Sequence, residues 1–187
     1  MLRILTAAVA ACAVLLNPAL AEEHRELGPH EHGHGTVNIA IEGNTIKMEL
    51  EAPGDDIAGF EHDPSTPQEK KTLEEAKDKL SKPLDLFQPP AAAKCAAKGA
   101  KVEIVEEKHE AGEEEKDEHG AEAHHNAFHA EYTLECSAIK ELKGMNFVYF
   151  AAFTNAQGLT VNFITGKSQS KFEVSRGAPK LDLSSVM

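Results

Sequence analysis

The stretch Thr36-Val37-Asn38-Ile39-Ala40-Ile41-Glu42-Gly43-Asn44-Thr45-Ile46-Lys47-Met48-Glu49-Leu50 sets the architecture. Val37, Ile39 and Ile41 alternate with polar or smaller residues, and so do Ile46, Met48 and Leu50. A period of two puts each apolar set on one face of a strand. Glu42-Gly43-Asn44 between them is turn chemistry, so the segment reads as a β-hairpin with one face turned to a core. Pro53-Gly54 ends it.

Downstream, Thr66-Pro67-Gln68-Glu69 is a helix start, with Thr as N-cap, Pro at the first helical position and Glu three residues after the cap. Leu73, Ala76 and Leu80, with Lys77 beside them, set a helical stripe that stops before Pro83, and Pro89-Pro90 follows as an extended link. Residues 101–106 read as a strand. From Glu106 to Glu122 the chain holds nine acidic residues against two Lys, with no Leu, Ile, Val or aromatic residue. Such a run buries no apolar surface and is expected to be a disordered loop, spanning about 107–128. Ala130, Tyr132, Leu134 and Cys136 alternate and give a strand leaving it. Residues 145–153 form a short apolar segment, helix or strand. Residues 159–165 and 171–174 read as a closing antiparallel pair. The expected fold class is α+β, a mostly antiparallel β-sheet with one or two helices and a disordered His/acidic loop.

The chain has 187 residues, 41% of them hydrophobic and 27% charged, enough for a single folded domain. Trp is absent and aromatics are 5%, so the core relies on Leu, Ile, Val and Phe. Lys and Arg number 19 against 31 Asp and Glu, a net charge of −12. That balance argues against nucleic acid and anionic lipid, which need basic surface, and favours cations.

Residues 1–21 read as a secretory signal peptide: Arg3 gives a positive start, 4–16 is almost wholly apolar, and Ala19-Leu20-Ala21 is a cleavage site. Val9-Ala10-Ala11-Cys12 also fits a lipoprotein box, but apolar sequence continues past Cys12. Cleavage after Ala21 leaves 166 residues, 187 less 21, and no second long apolar segment, so no membrane insertion is expected. Cys95 and Cys136 then remain, which in an exported chain suggests one disulfide. Thiolate metal ligation is the rival reading, with an oxidising compartment against it.

Nine of the ten His fall in two clusters. His24, His30, His32 and His34 lie within 11 residues of an N-terminal segment, 22–35, that precedes the domain at 36–187. His109, His119, His124, His125 and His129 lie within 21 residues. In His30-Glu31-His32-Gly33-His34-Gly35, His32 and His34 are two apart. If the first strand starts early they share its polar face with Thr36 and Asn38, and His30 adds a third imidazole. Imidazole suits zinc, copper and nickel, and zinc takes four ligands. His62, just before the helix, either completes this site or hydrogen-bonds within a turn. The candidate folded metal site is His30, His32, His34, His62 and His129, the last standing at the base of the loop and belonging either to the loop or to this site. His24, His109, His119, His124 and His125 are candidates for weaker binding of several divalent ions among acidic residues. No His-Glu-x-x-His helix, Gly-x-Ser-x-Gly elbow or phosphate-binding Gly loop is present, so no enzymatic activity is expected.

The signal-like start, His-Glu-His-Gly-His-Gly, the run Thr36–Gly43, Leu50-Glu51-Ala52-Pro53 and Gly59-Phe60-Glu61-His62 together resemble the ZrgA zinc-uptake proteins of the Gram-negative periplasm. The likeness is strongest over residues 30–64 and extends through most of the mature chain. It implies periplasmic zinc binding in an accessory role, with a zinc ABC importer's substrate-binding protein as possible partner. By position it implies metal handling by His30, His32, His34, His62 and the loop His residues. The competing readings are a buffer for excess zinc, copper or nickel, a zinc hydrolase with His32, His34 and His62 as ligands, and an interaction protein whose histidines are incidental.

Overall fold

The computed structural model describes residues 31–107 and 125–187. The signal-peptide reading, and His24, His30, His109, His119 and His124, lie outside the described residues. Strands β1 (His34–Glu42) and β2 (Thr45–Pro53) form the hairpin read from the sequence, with Ile39 opposite Met48 and Glu42 opposite Thr45. Buried and partly exposed residues alternate along both, as one core face and one open face require.

The described residues form four α-helices. α2 (Pro67–Leu80) carries the complete capping box: the Thr66 hydroxyl accepts from the Glu69 N–H, and the Glu69 carboxylate accepts from the Thr66 N–H. Its Ala76 and Leu80 are buried, whereas Lys77 is exposed and outside the stripe. The other three, α1 (Gly54–Ala58), α3 (Pro83–Leu86) and α4 (Tyr149–Ala152), are four or five residues long. Sequence pattern predicts only one or two helices because a single turn has no 3.6-residue period to detect.

β4 (Cys95–Glu107) and β5 (His125–Cys136) are antiparallel neighbours. β4 starts well before the strand expected at 101–106, since pairing with β5 carries Ala96, Ala97 and Ala100 into the ladder despite their lack of pattern. The register slips between Ala97 and Gly99. The ladder also runs to Glu107 opposite His125, so 107 and 125–128 belong to strands rather than to the loop expected over 107–128, the rest of which, 108–124, lies outside the described residues. Cys95 lies opposite Cys136 and is disulfide-bonded to it at the far end of the same hairpin.

β7 (Gly158–Ile164) and β8 (Gln169–Ser175) form the expected closing pair. β7 lies parallel to β1, Thr36 beside Thr160, the one parallel ladder among the described strands. The six-stranded sheet runs β4-β5-β2-β1-β7-β8. A smaller sheet joins β3 (Phe87–Gln88), β6 (Gly144–Phe147) and β9 (Lys180–Asp182) in the order β3-β6-β9. The segment 145–153 thus contributes a strand and then a helix turn, α4. The fold is α+β and mostly sheet.

One core joins the layers. Val37, Ile39, Leu50, Phe128, Leu134, Leu159, Val161 and Phe163 supply the inner face of the large sheet. Phe87 of the small sheet meets Tyr132 of β5 at 5.8 Å between ring centroids, Phe147 edge-on at 5.6 Å and Tyr149 stacked at 5.9 Å. Burial raises the phenol pKa of both Tyr132 and Tyr149, so they serve the core as neutral rings. Among the described residues no helix is long and apolar enough to cross a membrane.

Candidate metal centre

The His-rich motif enters the fold as a tight turn. Gly33 has φ 83°, left-handed backbone that favours glycine. Its N–H donates to Asp56 Oδ1 at 2.7 Å, and its carbonyl accepts from the N–H groups of Gln157 and Gly158 at 2.8 and 2.9 Å. The 150–157 approach to β7 is itself clamped by Arg176, whose guanidinium donates to the carbonyls of Phe150, Phe153, Thr154 and Ala156. The His34 N–H closes the turn onto the Glu31 carbonyl. β1 therefore begins at His34, and His32 stands in the turn before it.

That turn separates the two motif histidines. His34 opens the strand, its Nε2 3.0 Å from Thr160 Oγ1 and 3.5 Å from Glu173 Oε2. His32 instead places Nε2 3.0 Å from Glu61 Oε1. The other Glu61 oxygen, Oε2, lies 2.5 Å from His125 Nδ1. The Asn126 N–H donates to the Glu61 carbonyl at 2.9 Å, and Asn126 Nδ2 donates to Asp63 Oδ1 at 3.3 Å. These bonds lock the start of β5 to the segment after α1. The neighbouring His62 has Nδ1 3.0 Å from the Asp63 carbonyl oxygen and stacks on Phe60 at 5.0 Å.

The donor atoms of His32, Glu61 and His125 all lie within 4.8 Å of one another. A tetrahedral zinc with bonds of about 2.0–2.2 Å separates neighbouring donors by roughly 3.3 Å. The 3.0 Å contact of His32 with Oε1 is near that spacing, whereas the 2.5 Å contact of His125 is with the other oxygen, Oε2, and opens when an ion enters between them. Two imidazole nitrogens and one carboxylate oxygen are a zinc-type donor set. The Glu61 side chain is only 9% exposed, His125 is 25% exposed and His32 61%, so the anion lies deep and one imidazole faces solvent.

Asp56 supports the turn from below. Its carboxyl pKa is raised, chiefly by burial, while the Gly33 N–H pulls the other way. Its Oδ2 is buried with no hydrogen-bond partner among the described residues.

A second group of donors lies on the open face of the large sheet: Glu49 and Glu51 of β2 and His129 of β5, also mutually within 4.8 Å. His129 Nε2 is 3.0 Å from Glu49 Oε1.

The histidines expected to share one folded site, His32, His34, His62 and His129, are thus distributed over four places. Neither donor group among the described residues contains His34 or His62. His125, expected as a weak loop ligand, stands in a strand beside Glu61. Glu49 and Glu51 carry no mark in the sequence that separates them from the other carboxylates among 31 acidic residues. For Glu61 the one available signal is its place next to His62.

No curated protein matches the chain. A family model described as the ZrgA family zinc uptake protein matches residues 29–183, which include the turn at His32, the Glu61 segment and every described strand. A metal-type donor set on the fold that this family model spans leads to one assignment: the chain belongs to the ZrgA family of zinc uptake proteins.

Proposed function

We propose that the protein is a periplasmic zinc-binding accessory that captures zinc and assists its uptake by a zinc ABC importer. The observation that carries this reading is where the two His-rich segments meet the fold. His32 follows His24 and His30 in the chain, and His125 follows His109, His119 and His124. Both flank the same carboxylate, Glu61. In this reading the two segments gather zinc weakly and the His32, Glu61 and His125 site holds one ion more tightly. His30 and His124, each close in sequence to one of these donors, are candidates for a fourth ligand. Loss of Arg3 with the signal peptide leaves 18 basic against 31 acidic residues, a net charge of −13, which favours divalent cations over anionic partners. The disulfide and the signal-like start favour an oxidising compartment. The expected partner is the importer's substrate-binding protein, to which zinc would pass by ligand exchange at the exposed imidazole.

The test is a competitive zinc titration of the chain from residue 22 against a chelator of known affinity, beside the variant His32→Ala/His125→Ala. One tight zinc in the parent, lost in the variant with weaker binding retained, is the expected result. Equal tight binding by both proteins would remove the site from the reading.

A further inference from the structure

We infer that the solvent face of the six-stranded sheet carries a second, separate divalent-cation site made of Glu49, Glu51 and His129. It uses no donor of the first site and stands or falls independently of it. Glu49 and Glu51 are two apart on β2, so both side chains project from the same face. β5 lies alongside, with His129 directly opposite Glu51 and diagonal to Glu49. The three donor atoms converge within 4.8 Å, and all three residues are partly buried.

Two further observations point to a cation. The first is an outer shell that aims the carboxylate. Asn162 Nδ2 of β7 donates to Asn38 Oδ1 of β1 at 2.9 Å, and Asn38 Nδ2 donates to Glu49 Oε2 at 3.3 Å. This chain of bonds crosses three strands and fixes Oε2, which leaves Oε1 directed at His129. Outer-shell partners of this kind orient metal ligands in established sites. The second is charge. Glu131 lies directly opposite Glu49, and Glu103 lies opposite His129 on the other side. Like charges facing across a ladder destabilise it. Lys101 answers Glu103 at 2.9 Å and also attracts Glu131. The four carboxylates of Glu49, Glu51, Glu103 and Glu131 thus gather around Lys101 and the His129 imidazole. A divalent ion held by Glu49, Glu51 and His129 adds positive charge among these carboxylates. With one nitrogen and two oxygen donors the site takes zinc, and it accepts manganese or cobalt more readily than a site richer in imidazole does.

The test follows the His129 side chain by imidazole nitrogen NMR in the chain from residue 22, its signals assigned with His129→Gln. The background is His32→Ala/His125→Ala, so the first site is absent. Zinc chloride is the probe. The His129 Nε2 resonance should move on titration, and Glu49→Gln/Glu51→Gln should raise the midpoint at least tenfold. A cooperative thermal unfolding transition of the zinc-free double variant shows that it folds. A His129 resonance that ignores zinc, or one whose midpoint is unchanged by the double substitution, overturns the inference. Because the background lacks the first site, either failure leaves the His32, Glu61 and His125 reading untouched.

Discussion

Replacing Glu61 by Gln tests the metal centre at its middle. Glu61 contacts both His32 and His125, so the substitution removes the one anion shared by the two imidazoles while keeping shape. Even outer-shell changes at metal sites cost about 10–100-fold in affinity, so loss of a direct carboxylate ligand should cost at least about a hundredfold. At free zinc about a hundred times the parent's dissociation constant, binding stabilises the parent by about 2.7 kcal/mol. The same zinc then only equals the variant's dissociation constant, which gives RT ln 2, about 0.4 kcal/mol. For a chain of this size 1 kcal/mol moves the melting temperature by about 2–4 °C. Zinc should therefore raise the parent's melting temperature by roughly 5–11 °C and the variant's by about 1–2 °C. The assay is thermal unfolding in chelator-buffered zinc, each protein compared with its own zinc-free state. That comparison cancels the variant's effect on the unliganded fold, and the difference between the two shifts cancels any zinc bound elsewhere in both proteins. A full zinc shift in Glu61→Gln would refute the assignment.

Three further outcomes are expected. Asp56→Ala removes the acceptor of the Gly33 N–H and should loosen the turn that aims His32, which weakens zinc about 10–100-fold in the same titration, whereas Asp56→Asn keeps an acceptor oxygen and should lose less. Cys95→Ser/Cys136→Ser should cost roughly 4 kcal/mol in urea denaturation on the chain-entropy model for a 41-residue separation. Its zinc affinity should hold, because Cys136 lies at the opposite end of β5 from His125, about 11 steps of about 3.3 Å or roughly 36 Å away. Glu69 has its pKa held down to about 2 from an ordinary 4.5, first by the N–H groups of Thr66 and Ser65. A depressed carboxyl stabilises the fold above its unfolded value and loses that contribution as pH falls from about 5 through about 2. Glu69→Gln should therefore flatten this part of the acid-unfolding profile measured by circular dichroism.

The β1–β2 hairpin, the α2 start and the β7–β8 pair are legible in the sequence because each declares itself locally, by alternation or by a cap. β3, β9 and the one-turn helices have no length over which a period can accumulate. The parallel β1–β7 ladder joins residues more than a hundred positions apart, such as Thr36 and Thr160, a partnership no local pattern encodes. The site divides along the same line. Histidines identify the chemistry, and their clustering identifies the segments. Which imidazole meets which is decided by Gly33, whose left-handed backbone turns the chain between His32 and His34 and sends His32 towards Glu61 rather than beside His34. Glu61 gains its role only from the folded contact between the segment after α1 and the start of β5.

Glu107 and His125 face each other at the open end of a hairpin whose other end is tied by Cys95–Cys136. The two chain ends bounding 108–124 are thus already held together by the sheet, whatever lies between them. For unstructured chain inserted at such a place, each doubling of length costs only about 0.6 kcal/mol of closure entropy. The number of histidines carried there can grow or shrink with little consequence for the fold. On the proposed function, zinc capacity and structural stability become separately adjustable quantities, and length variation among members of the family should concentrate between these two residues.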